Sequence, residues 1–239
     1  MKVHNCDCMA FLKSVPAEYY DCILTDPPYS SGGAFRGDRV KKTSDKYQGS
    51  GTKDIKPEFY GDTRDQISLE HWCAEWLREC WRVSKEGAFV FVFIDWRNVH
   101  AVITALQMAG FVYRGILPWI KKNTRPQNGT FAQNCEYVVY GTRGGIIKND
   151  IYRKGYFIQQ PLPTAKRIHA TEKPVPLLEY LLSFTPKGGR VFDPFAGSGS
   201  TAEACLSLGL DFDGCELSAD YCRLANERID IAAAQGRIL

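Results

Sequence analysis

Arg190-Val191-Phe192-Asp193-Pro194-Phe195-Ala196-Gly197-Ser198-Gly199-Ser200-Thr201 decides the fold. Residues 190–192 have strand character, the glycines interrupt it, and a helical pattern then runs on to Leu208. Residues 211–215 return as a second strand with Glu216 at its tip. Strand, glycine loop, helix and strand make a βαβ unit. Its glycines let backbone approach a ligand at a helix N-terminus, and an acid at the next strand end can grip ribose hydroxyls. Gly197, Gly199 and Ala202 also satisfy the G-x-G-x-x-A pattern of dinucleotide enzymes, so this unit alone leaves a nicotinamide-dependent oxidoreductase open.

A second punctuated strand lies near the start. Residues 21–25 are a short, largely apolar run ending in Asp26-Pro27-Pro28-Tyr29, and Ser30-Ser31-Gly32-Gly33 cannot continue a strand. The tetrapeptide therefore sits at a strand's carboxyl end, where open α/β sheets bind ligands. Two prolines stiffen the backbone and leave carbonyl oxygens without ladder partners. A carboxylate, rigid carbonyls and a tyrosine ring together suit a flat ligand carrying an amino group. Asp-Pro-Pro is also ordinary turn chemistry, and it gains meaning from its neighbours.

The rest of the chain supplies a frame for these motifs. Its 239 residues, 44% hydrophobic, suit one α/β domain. The longest clear apolar run, residues 88–94, is far short of a membrane span, and the N-terminus lacks a signal-peptide core, so the expected location is cytoplasmic, with no membrane partner. Nine cysteines, an odd number without paired Cys-x-x-Cys, read as free thiols rather than disulfides or a zinc site, and no metal is expected. Cys22, Cys205 and Cys215 are expected to pack as small hydrophobes.

The spacing predicts strands at 3–6, 21–25, 89–94, 111–120 and 136–141, with the last two able to pair as an antiparallel hairpin. Helices are predicted over 8–14, 68–83 with Ser68 as cap, 98–109 and 174–184. The tryptophans at 72, 76 and 81 fall on the core face of the second helix. Residues 34–66 carry eight Lys/Arg interleaved with six Asp/Glu and four glycines, a long polar loop leaving the candidate site. We expect it to be mobile and to order over substrate.

Charge is uneven. Residues 121–168 hold Lys121, Lys122, Arg125, Arg143, Lys148, Arg153, Lys154, Lys166 and Arg167 against Glu136 and Asp150, a local +7 in a chain of net +3. With Tyr152, Tyr156 and Phe157 interleaved, this basic segment is the candidate DNA-binding and target-recognition region, a solvated basic face being the alternative.

Asp193-Pro194-Phe195-Ala196-Gly197-Ser198-Gly199-Ser200-Thr201 with Glu216 behind it, together with Asp26-Pro27-Pro28-Tyr29, resembles the amino-group DNA methyltransferases that use S-adenosylmethionine. His169-Ala170-Thr171-Glu172-Lys173-Pro174 and Asn5-Cys6-Asp7-Cys8 extend the likeness from about residue 3 to residue 228, loops 34–66 and 142–168 excepted. The catalytic motif precedes the cofactor motif, as in the β group. The resemblance implies a Rossmann-like methyltransferase fold: a mostly parallel seven-stranded sheet with an antiparallel hairpin strand, helices on both faces and a circularly permuted motif order.

It further implies methyl transfer to a base flipped out of double-stranded DNA, with Asp26 and the Pro27 carbonyl accepting the amino hydrogens, Pro28 stiffening the turn and Tyr29 stacking on the base. For the cofactor it implies Phe195, Gly197 and Gly199 at the methionine end and Glu216 on the ribose. His169, Thr171 and Lys173 would lie near the carboxylate, and Asp7 and Cys8 at the adenine, with Cys6 standing where the family usually has glycine. Asp26, Asp193, Pro194, Ala196, Ser198, Thr201 and Leu217 complete that set. Lys173 also reads as a solvated helix-start lysine, and Asp95 as either a support for Asp26 or a helix cap.

Aspartate at the first motif position accompanies adenine N6 in this family more often than cytosine N4. Adenine is the expected base and cytosine the runner-up. RNA and protein methyltransferases and a catalytically silent nucleic-acid-binding homologue are more distant, and intact Asp26 and Glu216 argue against the last. A homodimer, a companion restriction endonuclease and the recognition sequence stay open, in a bacterial or phage setting.

Overall fold

The computed structural model describes residues 1–30, 64–122, 128–147, 149–160 and 172–236. Most of the polar loop at 34–66 and the site candidates Arg125, Lys148, Lys166, Arg167, His169 and Thr171 lie outside the described residues.

In chain order the elements are β1 (Lys2–Asn5), α1 (Cys8–Leu12), β2 (Tyr20–Thr25), α2 (Gln66–Val83), β3 (Ser84–Ile94), α3 (Val99–Met108), β4 (Val112–Ile120), β5 (Cys135–Thr142), β6 (Phe157–Ile158), α4 (Val175–Leu182), β7 (Arg190–Asp193), α5 (Ser200–Ser207), β8 (Asp211–Glu216) and α6 (Ala219–Gly236). Their sheet order is β1-β8-β7-β2-β3-β5-β4-β6. β1, β8, β7, β2 and β3 run parallel, and β5 lies antiparallel to both β3 and β4. This is the Rossmann-like α/β sheet expected, with the hairpin of β4 and β5. The N-terminal strand lies beside β8, the permuted arrangement, with Asn5 in register with Glu216.

Four expectations are corrected. The sheet gains an eighth strand, because Phe157 and Ile158, in a stretch expected to be irregular, pair with Trp119 and Ile120. α1 stops at Leu12 rather than reaching residue 14. α2 begins before Ser68: the Asp65 carboxylate accepts from the Ser68 amide and caps the helix instead. β3 starts at Ser84, five residues earlier than the apolar run suggested, running straight out of α2.

Strand alternation divides the core. Ile23, Val90, Val92 and Ile94 face a layer of α1, α2 and α3, with Leu12, Trp76 and Leu77 among the buried residues there. Cys22, Leu24, Phe91 and Phe93 face the opposite layer with Leu177, Leu181, Ala202 and Ala225. Of the three tryptophans read as core, Trp76 is fully buried and Trp72 and Trp81 are half-buried. Cys22, Cys205 and Cys215 are buried, and all nine cysteines are free. Among the described residues no helix is long and apolar enough to cross a membrane.

β7 and β2 are neighbours, yet the chain leaves β7 toward β8 and leaves β2 toward β3. The crossovers diverge, so a crevice opens above the carboxyl ends of these two strands. Both sequence motifs end there.

Candidate active site

That crevice is a cavity of about 670 Å³, within the usual range for ligand sites. The parallel strands deliver Cys6 to Met9, Asp26 to Tyr29, Asp95 to Arg97, Pro194 to Ser198 and Leu217 to its wall. β5 runs the other way, so its first residues, Cys135 and Glu136, reach the same edge, as does Lys121 just beyond β4.

Asp26 is held chiefly by Lys173, with the Tyr29 hydroxyl also favouring its charge. Its Oδ2 accepts from Lys173 Nζ at 2.5 Å, whereas Oδ1 is buried without a hydrogen-bond partner. Burial pushes this carboxyl above its ordinary range, and Lys173 opposes the shift. Lys173 is itself buried and lies 3.4 Å from Glu136 Oε2 as well. The solvated helix-start reading of this lysine is thereby corrected: the two carboxylates draw it inward. Burial works against its charge, but Asp26 and then Glu136 outweigh that and hold its pKa above the usual value. Glu136 is also paired with Lys121 and accepts from Tyr29 Oη at 3.2 Å. Burial alone would raise its pKa, yet Lys173 and Lys121 keep it below the ordinary carboxylate range.

The backbone around Tyr29 is fixed in two ways. Asn98 Nδ2, buried at the start of α3, donates to the Tyr29 carbonyl at 2.7 Å. Ser30 follows with φ +54°, left-handed backbone that a non-glycine residue adopts at a cost and that turns the chain sharply away from the strand.

Asp193 joins the motifs. Its carboxylate is buried and accepts from Thr25 Oγ1 and Thr201 Oγ1, both at 2.7 Å, and from the Phe195 amide at 3.0 Å. Burial raises its pKa to about 6 despite these three donors. Gly199, at φ +81°, caps α5, and a Cβ there would lie 3.0 Å from the Ala225 Cβ, so glycine lets the loop rest against α6. Phe195 packs on Trp72 and Trp76, its ring centroid 5.3 and 5.2 Å from theirs.

Glu216 lines the cavity with one oxygen accepting from the Gly197 amide at 3.0 Å and the other from the Ser218 amide at 2.8 Å. A carboxylate oxygen has two lone-pair sites, so each keeps one for a ligand hydroxyl. Asp7, exposed, caps α1 through the amides of Met9 and Ala10, and buried Cys8 forms that helix's first residue. Asn5 Nδ2 donates to the carbonyls of Glu216 and Leu217, tying the two strand ends together. An acid at a strand tip, a glycine loop opening on a helix and apolar walls between them fit the adenosyl and methionyl parts of S-adenosylmethionine.

The structure thus gathers Asp26, Pro27, Pro28, Tyr29, Asp7, Cys8, Lys173, Asp193, Pro194, Phe195, Ala196, Gly197, Ser198, Thr201, Glu216 and Leu217 around one cavity. Gly199 sits behind the wall. Asp95 neither supports Asp26 nor caps α3; its carboxylate accepts from the Arg97 amide. The basic residues divide. Lys121 belongs to the cavity, while Lys122, Arg153 and Lys154 are exposed. Arg143 is pinned to the Ser84 carbonyl and to Glu18 and lies over the Trp81 ring, at the sheet end remote from Asp26. It serves the fold there.

Glu136 and Asn98 were not singled out from sequence. Glu136 carried a usable signal: it stands alone among the apolar residues of a strand, and a buried charge requires a partner. Among the described residues no group of His, Cys, Asp or Glu is placed to hold a metal ion.

Comparison with known proteins gives a consistent result. Residues 20–227 match a family described as DNA methylase. The chain is 32% identical over 232 residues to YubD of Escherichia coli K12, whose name calls it a methylase, covering 93% of this chain and 87% of that protein. Among solved structures, the M1.HpyAVI–SAM complex aligns with TM-score 0.68 at 21% identity, covering 96% of this chain and 98% of that one. The PvuII DNA methyltransferase, described as cytosine-N4-specific, aligns with TM-score 0.70 at 13% identity over 97% and 92% of the two chains.

Proposed function

The chain belongs to the DNA methylase family, and from that premise we propose that it transfers a methyl group from S-adenosylmethionine to the exocyclic N6 of an adenine flipped out of double-stranded DNA. One observation carries the reading of an amino group as the methyl acceptor: Asp26 Oδ1 is a buried carboxylate oxygen with no hydrogen-bond partner, on the wall of the cavity that also takes the glycine loop. An unpaired buried acceptor is costly, and an incoming N–H relieves that cost.

When bound, S-adenosylmethionine would supply an electrophilic methyl group and leave as S-adenosylhomocysteine, the proton given up by the nitrogen passing along its hydrogen bond to Asp26 Oδ1. The chain's residues prepare the amine. An aromatic amino group is a poor nucleophile because its lone pair is delocalised into the ring. Asp26 Oδ1 and the Pro27 carbonyl accept its two hydrogens, favour pyramidal nitrogen and aim the lone pair. Positioning and fixed charge therefore carry the catalysis, without a covalent intermediate. Tyr29, anchored through its hydroxyl on Glu136 and its carbonyl on Asn98, offers a ring on which the extruded base stacks. Glu216 holds the ribose hydroxyls, and Asp7 and Cys8 border the cofactor's adenine. Lys122, Arg153 and Lys154 contribute to the DNA surface.

Cytosine N4 is the second reading, since its amino group presents the same two N–H donors to Asp26. The test of the amino-transfer reading is incorporation of labelled methyl from S-adenosylmethionine into unmethylated duplex DNA. Activity in the wild type and none in Asp26→Ala is expected. A mutant as active as the wild type overturns the role given to Asp26.

A further inference from the structure

We propose that Lys173 is the counter-ion that positions Asp26, rather than a ligand of the cofactor's carboxylate, and that Glu136 holds Lys173 in that place. The proposal rests on the reading of Asp26 as the amino-group acceptor.

The geometry is specific. Lys173 Nζ lies 2.5 Å from Asp26 Oδ2 and 3.4 Å from Glu136 Oε2, with the Tyr29 and Phe93 rings 5.2 and 5.3 Å away. Only 4% of the side chain is exposed. A buried ammonium is tolerated when paired, and among the described residues two carboxylates pair with this one. A cofactor carboxylate brought to Nζ would be the third acid around one cation. Among the described residues the set is already balanced, with Asp26 and Glu136 against Lys173 and Lys121.

The direction of the side chain is set by its neighbour. Glu172 is buried and paired with Arg228 of α6 at 2.7 Å, and Arg228 is in turn fixed by Glu203 at 2.5 Å. Glu172 is thus drawn toward α6, and Lys173 reaches Asp26. By occupying Oδ2, Lys173 leaves Oδ1 for the amino hydrogen and favours the ionised carboxylate against burial. Lys173 and Glu136 then act on Asp26 in opposite senses: the cation favours its charge and the anion disfavours it.

Among the described residues the titratable groups facing Asp26 are Lys173, Glu136, Tyr29 and, across the motif junction, Asp193, with Lys121 behind Glu136. The test reads the Asp26 carboxyl titration by carbon-13 NMR in the free protein, assigned with Asp26→Asn, alongside S-adenosylmethionine affinity by calorimetry. Lys173→Met should move the titration up by about 1–3 pH units. Affinity should stay within about threefold of wild type, a change worth under about 1 kcal/mol. Glu136→Gln should move the titration down and leave affinity unchanged. A merely structural role would not produce opposite movements. A tenfold or greater loss of affinity in Lys173→Met, or an Asp26 titration that stays put in it, overturns the proposal. If Lys173→Met does not fold, Lys173→Gln replaces it with the same readouts: an upward movement with affinity kept supports the assignment, and an unmoved titration or a tenfold loss of affinity overturns it. Both readouts are independent of methyl transfer, so a wild type inactive on DNA would sink the functional reading while leaving this result to stand or fall alone.

Discussion

Thr25 Oγ1 donates a 2.7 Å hydrogen bond to Asp193 Oδ1, joining the last residue of β2 to the last residue of β7. The two motifs, far apart in sequence, are thereby held in one register. Thr25→Val removes a donor from a buried carboxylate and should cost about 1–3 kcal/mol of stability. The sign with pH follows from Asp193. Its hydroxyl donors stabilise the ionised form, which predominates above its folded pKa of about 6. Losing a donor raises the mutant's Asp193 pKa further, so the deficit should be full above that higher pKa and shrink as the pH falls to about 6 and below, where Asp193 is protonated in both proteins. Urea unfolding at pH 5 and pH 8 checks this.

Asn98 reaches the catalytic turn from α3 and holds the Tyr29 carbonyl. Asn98→Ala should slow methyl transfer by about tenfold, the equivalent of one lost hydrogen bond in the positioning of the base. Single-turnover kinetics at saturating cofactor is the measurement, and cofactor affinity should be unchanged.

Glu216 anchors the glycine loop through the Gly197 amide and, in the proposed function, also takes the ribose hydroxyls. Glu216→Ala should weaken S-adenosylmethionine binding by about 10–100-fold in calorimetry, the range for hydrogen bonds to a charged group.

The basic residues should separate by assay. Replacing Arg153 and Lys154 with alanine should weaken binding to duplex DNA and lower the salt dependence of the binding constant by about one for each phosphate no longer neutralised. Arg143→Ala should instead lower the melting temperature and leave the salt dependence alone, since this side chain pairs with Glu18 and Ser84 within the fold.

Arg143 also shows where sequence reading loses its grip. The βαβ unit at 190–216 and the Asp26 turn were legible because glycines and prolines punctuate strands locally, whatever surrounds them. The motif residues consequently met in one cavity. Arg143, Lys173 and Glu136 are governed by partners dozens of residues away or more, and charge counting along a chain cannot tell an arginine bound for solvent from one held against a carbonyl. The start of α2 was misplaced for a related reason: Ser68 fits a cap by type, but Asp65 has the geometry, and the choice depends on where the preceding loop enters. The two-residue β6 carries no periodic signal at all and exists because β4 offers it an edge.

Methyl transfer to adenine N6, with Asp26 accepting from the amino group, is tested most directly by the chemical identity of the methylated base. Unmethylated duplex DNA incubated with the protein and S-adenosylmethionine should be digested to nucleosides and resolved by mass spectrometry. N6-methyldeoxyadenosine, absent when Asp26→Ala replaces the wild type, is the predicted product. N4-methyldeoxycytidine in its place, or no methylated nucleoside from a folded, cofactor-binding protein, would contradict it.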